Sequence, residues 1–135
     1  EHTPLAEGAY RQDPLWAAPL LWRSEFRNIL AFYMRRGLLS LEQACVLAEK
    51  AESLVQGREF EVRSADVLEL AWESGCSAYD CEFVALACHL EIPLVTCDRA
   101  ILSAFPRVAK RPGAPASSCR LTRFRVSPGS SQALR

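Results

Sequence analysis

Three acids in this chain stand where acids are unusual. Glu25 falls inside an apolar helical pattern, with Leu21, Trp22, Asn28 and Ile29 three and four residues away. Asp80 opens the run "YDCEFVALACHL" and shares a helical face with Phe83, Val84 and Ala87. Asp98 comes two residues after the short apolar run "IPLVT", Ile92 to Thr96. An ionised carboxylate on an inward stripe is costly unless it is paired or metal-bound. Carboxylates held close together raise one another's pKa, and a hard divalent cation with oxygen ligands, magnesium or manganese, relieves that repulsion. Such an ion polarises a phosphodiester and activates a water. Metal-assisted hydrolysis is the chemistry these residue types suit. Two of the three acids also have structural readings. Asp80 suits the positive end of a helix dipole, and Asp98 suits a cap on the helix from Arg99.

The elements that must position them follow from capping and breaker residues. Thr3 and Pro4 open a helix to Arg11, and Pro19 leaves Leu15 to Ala17 extended. A helix from about Pro19 to Arg36 stops at Gly37, and "SLEQ" from Ser40 is a capping box for the next, which runs to about Gln56 and stops at Gly57. "EFEV", Glu59 to Val62, alternates like a strand. Ser64 is the expected cap of a helix ending at Gly75, and Ser77 opens the helix that carries Asp80. Ile92 to Thr96 is the best buried-strand candidate. Arg99 to Ala104 makes a last short helix, with Val108 and Ala109 as a final strand.

This alternation argues for an α/β layered domain with a mostly parallel sheet. The helix after Ser77 runs roughly 20 Å out, and the following strand returns roughly 15 Å. Helices begin, and strands end, at the carboxyl edge of a right-handed crossover sheet, where open α/β folds bind ligands. Asp80 and Asp98 are therefore expected to meet at that edge, with Glu25 in the first turns of its helix joining them.

A chain of 135 residues, half of them hydrophobic, is one domain with room for a core. No apolar run is long enough to span a bilayer, and no signal-peptide pattern is present. Six cysteines without a C-x-x-C pair argue against a zinc knuckle and read as reduced thiols in a cytoplasmic protein. Cys81 and Cys88, seven apart in a helical pattern, are expected to behave as small apolar residues. The neutral total hides an asymmetry: the first 98 residues carry all 16 acids, and residues 99–135 carry half of the 16 bases. Residues 112–135 read as a basic, flexible tail in which "RLTRFRV" has the pattern of an edge strand. His2 and His89 are given no role, and Trp16, Trp22 and Trp72 are expected in the core or at a dimer interface.

The stretch "SAYDCEFVALACHLEIPLVTCDRAIL" resembles the C-terminal signature of PIN-domain ribonucleases, especially VapC-like toxins of toxin–antitoxin modules. "WAAPLLWRSEFRNIL", with Pro19, Glu25 and Asn28, resembles that family's other hallmark helix. The likeness covers about Thr3 to Lys110. It implies a three-layer α/β/α sandwich around a mostly parallel central sheet over residues 1–111, and a magnesium- or manganese-dependent endoribonuclease. On this resemblance Glu25, Asp80 and Asp98 are the metal or water-positioning acids, and Thr96 is the hydroxyl residue that orients Asp98 or the water. Asn28 is a supporting candidate, and Arg99 a candidate phosphate contact. The implied partners are an RNA substrate, a cognate antitoxin and a second copy in a homodimer, with no membrane. The family's opening strand, which ends in an aspartate, has no counterpart ahead of Thr3. A preceding segment is the expected source, because loss of a central strand exposes two sheet edges. The competing reading is a non-catalytic PIN-like module for protein pairing or RNA binding. A third reading makes every acid a cap.

Overall fold

A computed structural model of the chain describes residues 3–115. The expected tail strand "RLTRFRV" and Cys119 lie outside the described residues. Among the described residues, six helices and four very short strands make a mixed α/β arrangement. Helix α1, Thr3–Gln12, leads to strand β1, Ala18–Pro19, which runs straight into helix α2, Leu21–Arg35. Helix α3, Leu41–Leu54, returns along α2 and feeds strand β2, Glu59–Phe60. Helices α4, Ser64–Ser74, and α5, Ala78–Leu90, then pack side by side. Strand β3, Leu94–Val95, helix α6, Arg99–Ala104, and strand β4, Ala109–Lys110, complete the order.

The strands form two separate parallel pairs, β1 with β2 and β3 with β4, and α5 packs against both β1 and β3. Strands β1, β2 and β3 are shorter than the sequence pattern suggests; β1 lies just beyond the expected Leu15–Ala17, and β4 keeps its expected length one residue later. Pro19 explains part of this. The N–H groups of Ala18 and Leu20 on either side of it donate to Arg58 and Phe60. The N–H that proline lacks would therefore point away from β2, where no strand needs it.

Local chemistry accounts for most helix ends. Ser40 accepts from the Gln43 N–H while Gln43 Oε1 accepts from the Ser40 N–H, the reciprocal box expected from "SLEQ". Gly75 closes α4 in the left-handed conformation at φ 71°, which costs glycine little because it has no Cβ. Two starts differ from expectation. Ser64 is already helical, with Arg63 preceding it and no side-chain cap, and α2 begins after Leu20, also uncapped.

The main core lies between α4, α5, α6 and β4. Val67 and Leu70 meet Cys81, Val84, Ala85 and Ala87, together with Ile101, Phe105, Val108 and Ala109. Cys81 and Val84 expose no surface, and Cys88 is half-buried. Burial pushes the thiols of both cysteines up from their ordinary pKa, so both stay protonated and behave as small apolar groups. His89 is exposed, and Trp72 is 90% exposed, pointing away from the core, so of its two expected places only the dimer interface is left open. Trp16 and Trp22 are half-buried. Among the described residues, no helix is long and apolar enough to cross a membrane.

Candidate carboxylate site

Asp80 occupies the third position of α5, where the chain's own capping chemistry holds it. Ser77 Oγ accepts from the Asp80 N–H at 3.1 Å and donates to Asp80 Oδ2 at 2.6 Å. The serine thereby fixes the carboxylate at the positive end of the helix. Asp80 Oδ1 takes no part in this exchange.

Asp98 is held as tightly, by a different device. Its Oδ1 accepts from the N–H groups of Ala100 at 2.7 Å and Ile101 at 3.1 Å, capping α6. Its own N–H donates to Thr96 Oγ1 at 3.0 Å. Thr96 thus shapes the backbone between β3 and α6, and through it the orientation of Asp98. Both bonds of the cap use one oxygen, so Asp98 Oδ2 remains outside it.

Glu25 departs from the expected inward position. The face of α2 turned to the protein runs through Trp22, Arg23, Phe26, Leu30 and Met34, while Glu25, Asn28 and Ile29 are exposed. The choice of face follows from a contact that periodicity does not show. Glu59 on β2 accepts from Trp22 Nε1 and Arg23 Nε, both at 2.7 Å, and Arg23 also reaches Glu52 on α3 at 2.9 Å. These bonds rotate α2 so that Arg23 faces inward and Glu25 lies toward the rim.

At that rim Glu25 is not an ordinary surface acid. Its pKa is raised, first by loss of hydration against the surrounding protein, then by the negative charges of Asp80 and Glu82. Strand β1 supplies the link, since it continues into α2 and packs on α5. Glu25 and Asp80 are thereby brought within electrostatic reach of each other. Asp98 is not among the charges acting on Glu25. Among the described residues, no group of three or more His, Cys, Asp or Glu side chains gathers closely enough to hold a metal ion.

Glu82 was not anticipated. It is two residues from Asp80 and so points about 200° around the helix from it, and no helical spacing groups the two. Only the packing of the rim makes both of them neighbours of Glu25. Asn28 and Arg99 are both exposed. Compared with protein-family models and with curated proteins, the chain finds no match.

The donor set suits a hard cation in one respect. Magnesium keeps several waters and takes one or two protein carboxylates, often with substrate phosphates completing its shell. Glu25, whose pKa is raised in part by the charge of Asp80, and Asp80 are the two acids that could serve as such ligands.

Proposed function

We propose that the protein is a metal-dependent endoribonuclease that hydrolyses RNA phosphodiester bonds, the toxin of a toxin–antitoxin pair acting in the cytoplasm. The observation that carries this reading is the raised proton affinity of Glu25 beside Asp80 and Glu82. A like-charge cluster gathered from distant parts of the chain opposes folding unless a cation uses it. The sequence likeness to PIN-domain ribonucleases supplies the reaction class, and two of these three acids, Glu25 and Asp80, are among those that likeness selects.

In this reading Glu25 and Asp80 hold a magnesium or manganese ion. Asp98 positions the water or the ion through Oδ2, and Thr96 holds Asp98 in place. When bound, the ion supplies polarisation of the phosphodiester and a lowered pKa for an attached water. The two parallel pairs, both packed on α5, are read as parts of one central sheet in a three-layer α/β/α sandwich. RNA, an antitoxin and a second copy of the chain are the proposed partners.

The test is cleavage of RNA by the purified protein with and without magnesium or manganese. Asn caps helices as well as Asp does, so Asp98→Asn should abolish cleavage while leaving the melting temperature nearly unchanged. Asp80→Asn should do the same. Absence of any metal-stimulated cleavage by the wild-type protein overturns the enzyme reading.

One observation favours the second reading, a non-catalytic PIN-like module for protein pairing or RNA binding. Asp98 already caps α6 and Asp80 accepts from the capping Ser77, local work that would be retained without catalysis. A bound ion must stabilise the fold. A melting temperature indifferent to millimolar magnesium and manganese therefore decides for the module.

A further inference from the structure

The outer face of α4 carries the least expected exposure in the molecule. Trp72 is 90% exposed, and Leu68, one turn earlier on the same stripe, is 63% exposed. Contiguous exposed apolar surface rimmed by polar residues marks interaction sites. Acids flank the two: Glu69 and Glu73 lie one residue after each, Asp66 opens the helix, and α4 carries no base. A second copy of the same face is a poor partner, because a two-fold contact would set acids against acids. The chemistry asked for is an apolar segment bearing several positive charges, with arginine best suited to stack on an exposed indole.

The chain contains such a segment. Arg120, Arg123 and Arg125 are interleaved with Leu121, Phe124 and Val126, and no acid follows Asp98 anywhere in the sequence. The distance is also short. The inward residues of α4, Val67 and Leu70, share one core with Val108 and Ala109 at β4, so the outer face of α4 lies about one helix diameter, 10–12 Å, from that strand. Ten residue steps from Lys110, where that strand ends, to Arg120 span up to roughly 35 Å. Attachment to the same chain gives the segment an effective concentration on the order of millimolar.

We propose that Arg120–Val126 docks on the outer face of α4, covering Leu68 and Trp72 and pairing its arginines with Glu69 and Glu73. The assignment is independent of the carboxylate site and of the ribonuclease reading.

The experiment uses the full-length chain and reads Trp72 by acrylamide quenching, with the Trp72→Phe protein subtracted to remove Trp16 and Trp22. Docking gives a severalfold lower quenching constant for wild type than for the charge-reversed protein R120E/R123E/R125E, and a blue-shifted Trp72 emission. Adding Glu69→Lys and Glu73→Lys to the reversed segment should restore the protection, which a nonspecific loss of charge would not do. All these substitutions lie on the surface or in the segment itself, and circular dichroism confirms that each variant is folded. Equal quenching in wild type and the reversed protein overturns the proposal. So does protection that is lost on dilution, which would assign the face to another molecule.

Discussion

Cys81 and Val84, at the centre of the C-terminal region, have no exposed surface, and eight further buried apolar residues surround them. The region of α2, α3, β1 and β2 buries far less: Leu30, Ala44, Val55 and Pro19. In place of a large apolar cluster, Arg23 clasps Glu59 by two hydrogen bonds of 2.7 Å and reaches Glu52 at 2.9 Å, while Trp22 donates to the same Glu59. One region is held by burial, which is non-directional and indifferent to pH. The other is held by an oriented ionic clasp, which fixes the rotation of α2 but answers to salt and acid. The carboxylate site lies where they join, with Glu25 from the clasped region and Asp80 from the buried one.

The largest effect should come from the buried region. Leu70→Ala removes a side chain that is 4% exposed and should cost about 2–5 kcal/mol, read by chemical denaturation. In the R120E/R123E/R125E protein, Leu68→Ala, two residues away on the exposed face of α4, should change stability by about 0.5 kcal/mol or less. Equal costs at the two positions would break the contrast between core and surface on this helix.

Glu59→Gln strikes the clasp and should cost about 1–3 kcal/mol at neutral pH, the range for hydrogen bonds to charged groups. Its pH dependence has a definite sign. The Arg23 guanidinium, helped by the Trp22 N–H, holds the Glu59 carboxyl below its ordinary range. Its contribution is therefore complete above the unfolded value of about 4.3 and is lost as pH falls through the depressed folded value. The stability gap between wild type and Glu59→Gln should shrink on acidification. A gap that stays constant down to pH 3 would mean the clasp is not ionic in effect.

Ser40→Ala removes the capping box of α3 and should cost about 1 kcal/mol, with an unchanged denaturant slope. The smallest effect carries the opposite sign. Glu25 has a raised pKa, so its favourable protonated form is fully present below the unfolded value of about 4.3 and is lost as pH rises through the folded value. Glu25→Gln should therefore be more stable than wild type at neutral pH, by less than about 1 kcal/mol at this exposed position, and equal to it in acid. Millimolar magnesium should raise the wild-type melting temperature and not that of Glu25→Gln. Thermal melts across pH and metal concentration separate these outcomes.

Much of the local architecture was readable before any coordinates. The box at Ser40, the cap at Ser77, the stop at Gly75 and the cap at Asp98 all depend on neighbours within a few residues. Short-range hydrogen bonds of this kind look much the same in any fold. The strands were less legible. Hydrophobic runs mark where a strand is possible, but its length depends on which partner lies alongside, and here each pairs over two residues.

The acids divide along the same line. Residue type and helix position alone determined that Asp80 and Asp98 sit at element starts with carboxylates held by backbone and serine donors. Tertiary structure alone decided the rest. Glu25 lies at the rim rather than on the inward stripe because Arg23 turns α2 toward Glu59, a partner from a distant strand. Glu82 joins the cluster because packing, not periodicity, makes it a neighbour. Trp72 faces water because α4 buries Val67 and Leu70 instead. A helix's pattern states which faces are apolar, but the neighbours available to cover them decide which face is buried.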